Sequence, residues 1–208
     1  MTELARARAL LAEMREQMPL LDFMALEVVA FDGRQLTLRA PLDPNRNDKG
    51  TAFAGAIASL STVTGWALLT LWARARHGHC QVAVYHTEIS YRHPIAADFE
   101  ATAVLPAEAE LQKLSERLQT RGKGRVDVHI TVASTGLQTV IQNAGYALWR
   151  GADAGGRPRG GRGLMAYWAH VQPCFRHCGC CPFRKPSAYR RRGGARVRAQ
   201  GFPACQPG

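Results

Sequence analysis

From Gly50 to Ala73 the sequence has no charged residue, and Lys49 and Arg74 bracket the gap. A stretch of that length with Phe53, Ile57, Leu60, Val63, Leu68, Leu69 and Leu71 on every side of a helical projection has no polar face, so it is not a solvated surface helix. It is either a membrane span or the axis of a core. Gly55, Gly65, Ser59, Ser61, Thr62 and Thr64 dilute its hydrophobicity, and the flanking segments alternate like half-buried strands. Together these features predict a buried core helix and no membrane span.

Cysteine is equally sparse where it would matter. Cys80 alone falls in the first 150 residues, while Cys174, Cys178, Cys180, Cys181 and Cys205 follow. A disulfide framework is thereby excluded for the first part, as a reducing compartment requires, and the opening MTELARARALLAEM lacks the apolar run of a signal peptide. A cytoplasmic protein is predicted. Acidic residues are missing from the other end: residues 151–208 carry 11 Lys and Arg against one acid, Asp153, whereas residues 1–150 hold 16 basic and 15 acidic residues. Of the formal net charge of +11, +10 therefore belongs to the tail, and it does not mark the first part as a nucleic-acid binder. Also lacking are internal repeats, a P-loop, a dinucleotide-binding glycine pattern and a nucleophile elbow.

Periodicity is present instead. Thr2 to Met18 spaces Leu4, Ala7, Leu11 and Met14 as an amphipathic helix that Pro19 ends. Leu26, Val28 and Ala30, then Asp32-Gly33, then Leu36, Leu38 and Ala40 predict a hairpin. Arg74 to His79 reads as a solvated, cationic helix end. Gln81 to Arg92 is a long strand, with Tyr85, Ile89 and Tyr91 on one face, and Phe99 to Leu105 is another. Glu108 to Leu118 is either a solvated turn of helix or a broken strand. Val126 to Val132 alternates cleanly, Ser134-Thr135-Gly136 turns the chain, and a last strand runs from about Thr139 to Trp149. Two strands, a buried helix and four strands predict an α+β fold, an antiparallel sheet wrapped around one long central helix.

Two domains of unlike character follow: residues 1–150, and an Arg/Gly/Pro/Cys-rich tail over 151–208 with no apolar period, read as disordered. In the tail, Cys174-x3-Cys178-x-Cys180-Cys181 with His170 and His177 lacks paired C-x-x-C knuckles and is not read as a metal site. Arg runs around Tyr189 allow contact with RNA or anionic lipid. The composition is also that of a shifted reading frame in GC-rich DNA, which is the preferred account. No cofactor is predicted.

The chemistry gathers where the loop meets the uncharged helix. A helix start offers free backbone N–H groups and a positive dipole end. Gly55, with the small Ala54 and Ala56, lets a substrate approach that backbone. Asn47 has an amide to orient a carbonyl or a water, and Asp48 is the nearest carboxylate for general base work. Both residue types are equally ordinary as caps and turn formers.

The spacing Asn47-x-x-Gly50-x-x-Phe53-x-Gly55, entering a helix, resembles the N-x-x-G-x-x-H-G-G signature of hotdog-fold acyl-CoA thioesterases. The fuller NRNDKGTAFAG, the following Gly65-Trp66 and the later ISYRHP look most like the thioesterase domain that some bacteria fuse behind an acetyltransferase domain. The resemblance covers about residues 10–150. It implies a thioester hydrolase acting on acyl-CoA or acyl carrier protein, with Asn47, Asp48 and Thr62 as catalytic candidates and Gly50, Phe53, Ala54, Gly55 and Ser59 as substrate-binding ones. It implies also a homodimer or larger even oligomer, in which Thr62 faces the partner's loop. Phe53 stands where the family has His, and Thr62 where relatives place Asp or Glu. These departures keep open a non-catalytic acyl-binding module. A third reading is a nucleic-acid or lipid-interacting protein acting through the tail.

Overall fold

The computed structural model describes residues 2–150, and the expectations for the tail, its metal and RNA or lipid readings included, lie outside the described residues. Helix α1 (Glu3–Gln17) begins where the Thr2 hydroxyl accepts the Ala5 N–H, and it buries Ala7, Leu10, Leu11 and Met14. Pro19 stops α1 and opens a short second helix, α2 (Pro19–Phe23), at whose first position a missing N–H costs nothing.

Strands β1 (Glu27–Phe31) and β2 (Gln35–Ala40) form the expected hairpin. Asp32 Oδ1 accepts the N–H groups of Arg34 and Gln35, and Gly33 takes the positive φ of +91° that the turn needs. A bulge between Val28 and Ala30 breaks the simple alternation and leaves Ala30 exposed.

Helix α3 (Ala54–His77) is the uncharged stretch, 24 residues long. It is long and apolar enough to cross a bilayer by length and composition. Here it is the core helix: Leu60, Leu68, Leu69 and Ala73 are completely buried, each large side chain contributing about 1.5–3 kcal/mol. Gly78, at φ +72°, ends it.

The remaining strands are β3 (Cys80–Tyr91), β4 (Phe99–Val104), β5 (Lys123–Ser134) and β6 (Leu137–Arg150). All six pair antiparallel in one sheet, in the order β1-β2-β4-β5-β6-β3, so that β3 is an edge. A sheet curled round one long helix is the hotdog arrangement. Val126, Val128, Ile130 and Val132 of β5 and Val140, Ala144, Tyr146 and Leu148 of β6 are buried on the helix side.

Three expectations need correction. Glu108 to Leu118 is neither a single turn nor a strand but part of a 14-residue helix, α4 (Glu108–Arg121). Its charges face solvent while Leu111, Leu114 and Leu118 are buried, and Gly124 of β5 makes room for Leu114, whose Cδ1 would lie 2.5 Å from an added Cβ.

In β3, a bulge between Val84 and His86 makes Tyr85 the extra residue. The phenol therefore crosses to the face away from α3, over Gly145 and under the Arg125 guanidinium at 4.8 Å. Tyr85 does not share the face of Ile89 and Tyr91.

His77, finally, is not a solvated cation. It packs on Trp72 with ring centroids 5.2 Å apart and shares a 3.0 Å hydrogen bond with Ser115. Burial first, then Arg150 and Arg76, hold its pKa below the usual histidine value.

Candidate functional site

The path into α3 is pinned by Asn45, in the 3-10 turn Asp43–Asn45. Its buried amide donates to the carbonyls of Met24 at 2.9 Å and Pro41 at 2.8 Å, and its own carbonyl accepts the Phe53 N–H at 2.7 Å. The chain between leaves and returns as a small loop, closed by an antiparallel bridge of Arg46 to Ala52.

Asn47 holds the inside of that loop. Its Oδ1 accepts the N–H groups of Lys49 at 2.8 Å and Thr51 at 3.2 Å, and its Nδ2 donates to Thr51 Oγ1 at 2.9 Å. Its backbone N–H goes to the Thr51 carbonyl and its carbonyl accepts from Gly50, which sits at φ +76°. Among the described residues nothing accepts the second N–H of the amide. Asp48 is at the tip, its side chain 79% exposed, with the Lys49 ammonium 3.0 Å from the carboxylate.

The first residues of α3 carry the electrostatics. Phe53 occupies the N-cap position, and its side chain has no polar group to accept a backbone N–H. Its carbonyl accepts the Ile57 N–H, so the amides of Ala54, Gly55 and Ala56 are the first-turn donors without intrahelical acceptors. The Phe53 ring, 55% exposed, lies across Gly55. From the end of β3, the Tyr91 hydroxyl donates to the Ala54 carbonyl at 3.1 Å, and burial raises the Tyr91 pKa, which keeps it a donor.

Ser59 and Thr62 continue the stripe of α3 that begins at Gly55, and both are partly exposed. Thr62 lies seven residues beyond Gly55, about 10 Å along the helix, so it does not join the loop within one protomer. What surrounds Thr62 was not legible in the sequence. Gln142 Nε2 donates to Thr62 Oγ1 at 3.0 Å and to Thr87 Oγ1 at 2.6 Å, and the Tyr146 hydroxyl donates to the Thr62 carbonyl at 2.8 Å. Burial pushes the Tyr146 pKa far up, so it donates at any working pH. The signal for Gln142 was a polar residue in register with Val140, Ala144, Tyr146 and Leu148, the inward positions of β6.

The loop also borders a shallow groove lined by Leu42, Asp43, Arg46, Gly50 and Asp98 among others. Of the nominated residues it includes Gly50 alone. Among the described residues no three His, Cys, Asp or Glu side chains gather as metal ligands would.

Comparison with known proteins gives this geometry a context. The family described as "Putative thioesterase (yiiD_Cterm)" matches residues 7–148. Three solved structures are each 25% identical to this chain. A Chlorobaculum tepidum protein of unknown function superposes with a TM-score of 0.66, over 72% of this chain and 98% of its own. A "putative thioesterase" from Shewanella oneidensis gives 0.63, over 71% and 99%. A "probable thioesterase" from Pseudomonas aeruginosa gives 0.59, over 70% and 94%.

Proposed function

The chain belongs to this YiiD C-terminal thioesterase family, and from that membership we propose that it hydrolyses acyl thioesters carried on coenzyme A or on acyl carrier protein. The observation that carries the reading is the start of α3, where the amides of Ala54, Gly55 and Ala56 have neither an intrahelical acceptor nor a side-chain cap from Phe53, directly after the Asn47 loop. As water attacks the thioester carbon, charge moves onto the carbonyl oxygen, and donors fixed in advance stabilise it without reorganising. The spare N–H of Asn47 orients the carbonyl or the water, and Asp48 takes the proton that the water gives up. Collapse of the tetrahedral adduct breaks the C–S bond. The thiolate leaves and is protonated, and the acid remains.

Phe53 is the local obstacle, and its exposed ring swings aside as the acyl group enters. Ser59 and Thr62, remote from the loop of their own protomer, serve the loop of a second copy. Support for that copy comes from the edge strand β3, where Val84 and Tyr91 are exposed beside the Ser59–Thr62 stripe. Residues 1–150 form the working domain in this reading, and the single Cys80 among them suits a reducing cytoplasm.

The ring of Phe53 over Gly55 favours one alternative, an acyl-binding module that does not hydrolyse. Thiol release from acetyl-, octanoyl- and palmitoyl-CoA and from the matching acyl carrier proteins separates the two. Turnover of any member supports the hydrolase. Tight binding of a non-hydrolysable thioether with no release from the thioesters leaves the binding module.

A further inference from the structure

The hydroxyls along α3 are not used alike. Ser61, Thr64 and Thr70 each give their proton to a backbone carbonyl four residues earlier, at 2.8, 2.7 and 2.8 Å. Thr62 instead receives one, from Gln142 Nε2. An amide nitrogen carries two hydrogens and no lone pair to offer, so Thr62 Oγ1 and Thr87 Oγ1 are both acceptors at this contact.

The orientation of the amide follows from its burial. Gln142 is wholly buried, and its Oε1 has no partner. Turning the amide over would leave two N–H donors stranded in place of one carbonyl, a greater desolvation cost. Because Gln142 contributes only a donor at this contact, the Thr62 hydroxyl still has its own proton to give, and among the described residues no acceptor takes it. Tyr146 fixes the backbone at the same residue from below, reaching the Thr62 carbonyl through the space left by Gly65, where an added Cβ would lie 2.4 Å from the phenol oxygen. Two inward side chains of one strand, four residues apart, thus set both the position and the polarity of Thr62.

We propose that Gln142 is a positioning residue, holding Thr62 as a hydrogen-bond donor aimed at a carbonyl oxygen of the bound acyl thioester. The inference rests on the hydrolase reading and assigns Thr62 a sense within it: Thr62 donates to substrate and takes no proton from water.

The test uses the full chain and the acyl-CoA of the acetyl, octanoyl and palmitoyl panel that wild type cleaves fastest. Thr62→Val removes the hydroxyl, and Gln142→Glu keeps the shape while its carboxylate draws both threonine protons inward. Each single change is expected to lower kcat/KM about tenfold, the scale of one lost hydrogen bond with its partner stranded. The double variant is expected to match Thr62→Val alone, because the amide acts only through the hydroxyl. Gln142→Glu should also recover as pH falls through the pKa of the introduced carboxyl, since the protonated acid donates again. A merely structural glutamine would give additive losses and no such recovery.

Additive losses, or Gln142→Glu within twofold of an active wild type, would overturn the proposal. If Gln142→Glu melts below the assay temperature, Gln142→Met, which cannot donate, replaces it in the same cycle with the same expectation of non-additivity. Wild type that cleaves no panel member is scored by binding of 2-oxononyl-CoA, a thioether whose ketone keeps a carbonyl oxygen but cannot be hydrolysed. Tenfold weaker binding by both single variants supports the donor assignment although hydrolysis has failed, and no binding by wild type removes the reading and the inference together.

Discussion

The Phe53 ring rests on Gly55, closely enough that a Cβ added to the glycine would meet Phe53 Cε1 at 2.3 Å. The obstructing atom is the far end of a side chain that is half exposed, so it can yield. Gly55→Ala is therefore expected to leave stability unchanged or raise it by up to about 1 kcal/mol, as alanine does in helices. The same methyl group would occupy the approach to the first-turn amides and lower kcat/KM by at least about tenfold. Thermal melting and thiol release, measured on one preparation, check the split. A variant as active as wild type would remove the helix start from the chemistry.

Asn47 serves the loop through its oxygen and one N–H, to Thr51 Oγ1, and the substrate, in the proposed reading, through its other N–H. Asn47→Asp keeps the acceptor for Lys49 and Thr51 and should stay within about 0.5 kcal/mol of wild type, whereas Asn47→Ala should lose about 1 kcal/mol, as removal of a capping side chain does. Both are expected to lower kcat about 10²-fold, the cost of removing one such donor. Single-turnover rates for Asn47→Asp within twofold of wild type would reduce Asn47 to a turn former.

Gly65 and Tyr146 are matched in the same way but deep in the core, where neither can yield. Gly65→Ala should destabilise by about 1–3 kcal/mol through overpacking against a wholly buried phenol. Tyr146→Phe removes the oxygen that the new methyl would strike, so the double variant should melt above Gly65→Ala. Denaturant unfolding of the three proteins decides it, and a double variant less stable than Gly65→Ala would show the clash to lie elsewhere.

His77 is held neutral by burial, Arg150 and Arg76, so its folded pKa lies below the ordinary 6.5. Above that value both the folded and the unfolded chain carry it neutral and no stability is linked to it. As pH falls below 6.5 the unfolded state takes up the proton first, and stability is lost progressively through the folded pKa. His77→Gln should flatten this part of the pH dependence while keeping a hydrogen-bonding group for Ser115. Equal slopes of melting temperature against pH from 7 to 5 would contradict the assignment.

The 12-residue edge strand β3 leaves its outer backbone groups unpaired in one copy. A dimer or larger even oligomer at micromolar concentration is expected by light scattering, and Val84→Lys, at an exposed position of that strand, should weaken it at least about tenfold. A monomeric wild type with full hydrolase activity would refute the need for a second copy.

Reading the sequence sufficed where local pattern and burial agree. The absence of charge from Gly50 to Ala73 identified the core helix, and clean alternation located β5, because a side chain's face depends only on its position in the element. The spacing from Asn47 to Gly55 marked the loop and helix start, since turn and cap chemistry are local. Tertiary structure alone decided the rest. A single extra residue in β3 reverses the face of Tyr85, and only the pairing with β6 reveals it. The amphipathic length of α4 emerges once β5 supplies a surface for its leucines. Above all, Gln142 meets Thr62 and Thr87 across 80 and 55 positions of chain, and the sense of their hydrogen bonds depends on which atoms are dry. Burial at that point is a property of the closed sheet around its helix, which no stretch of sequence contains by itself.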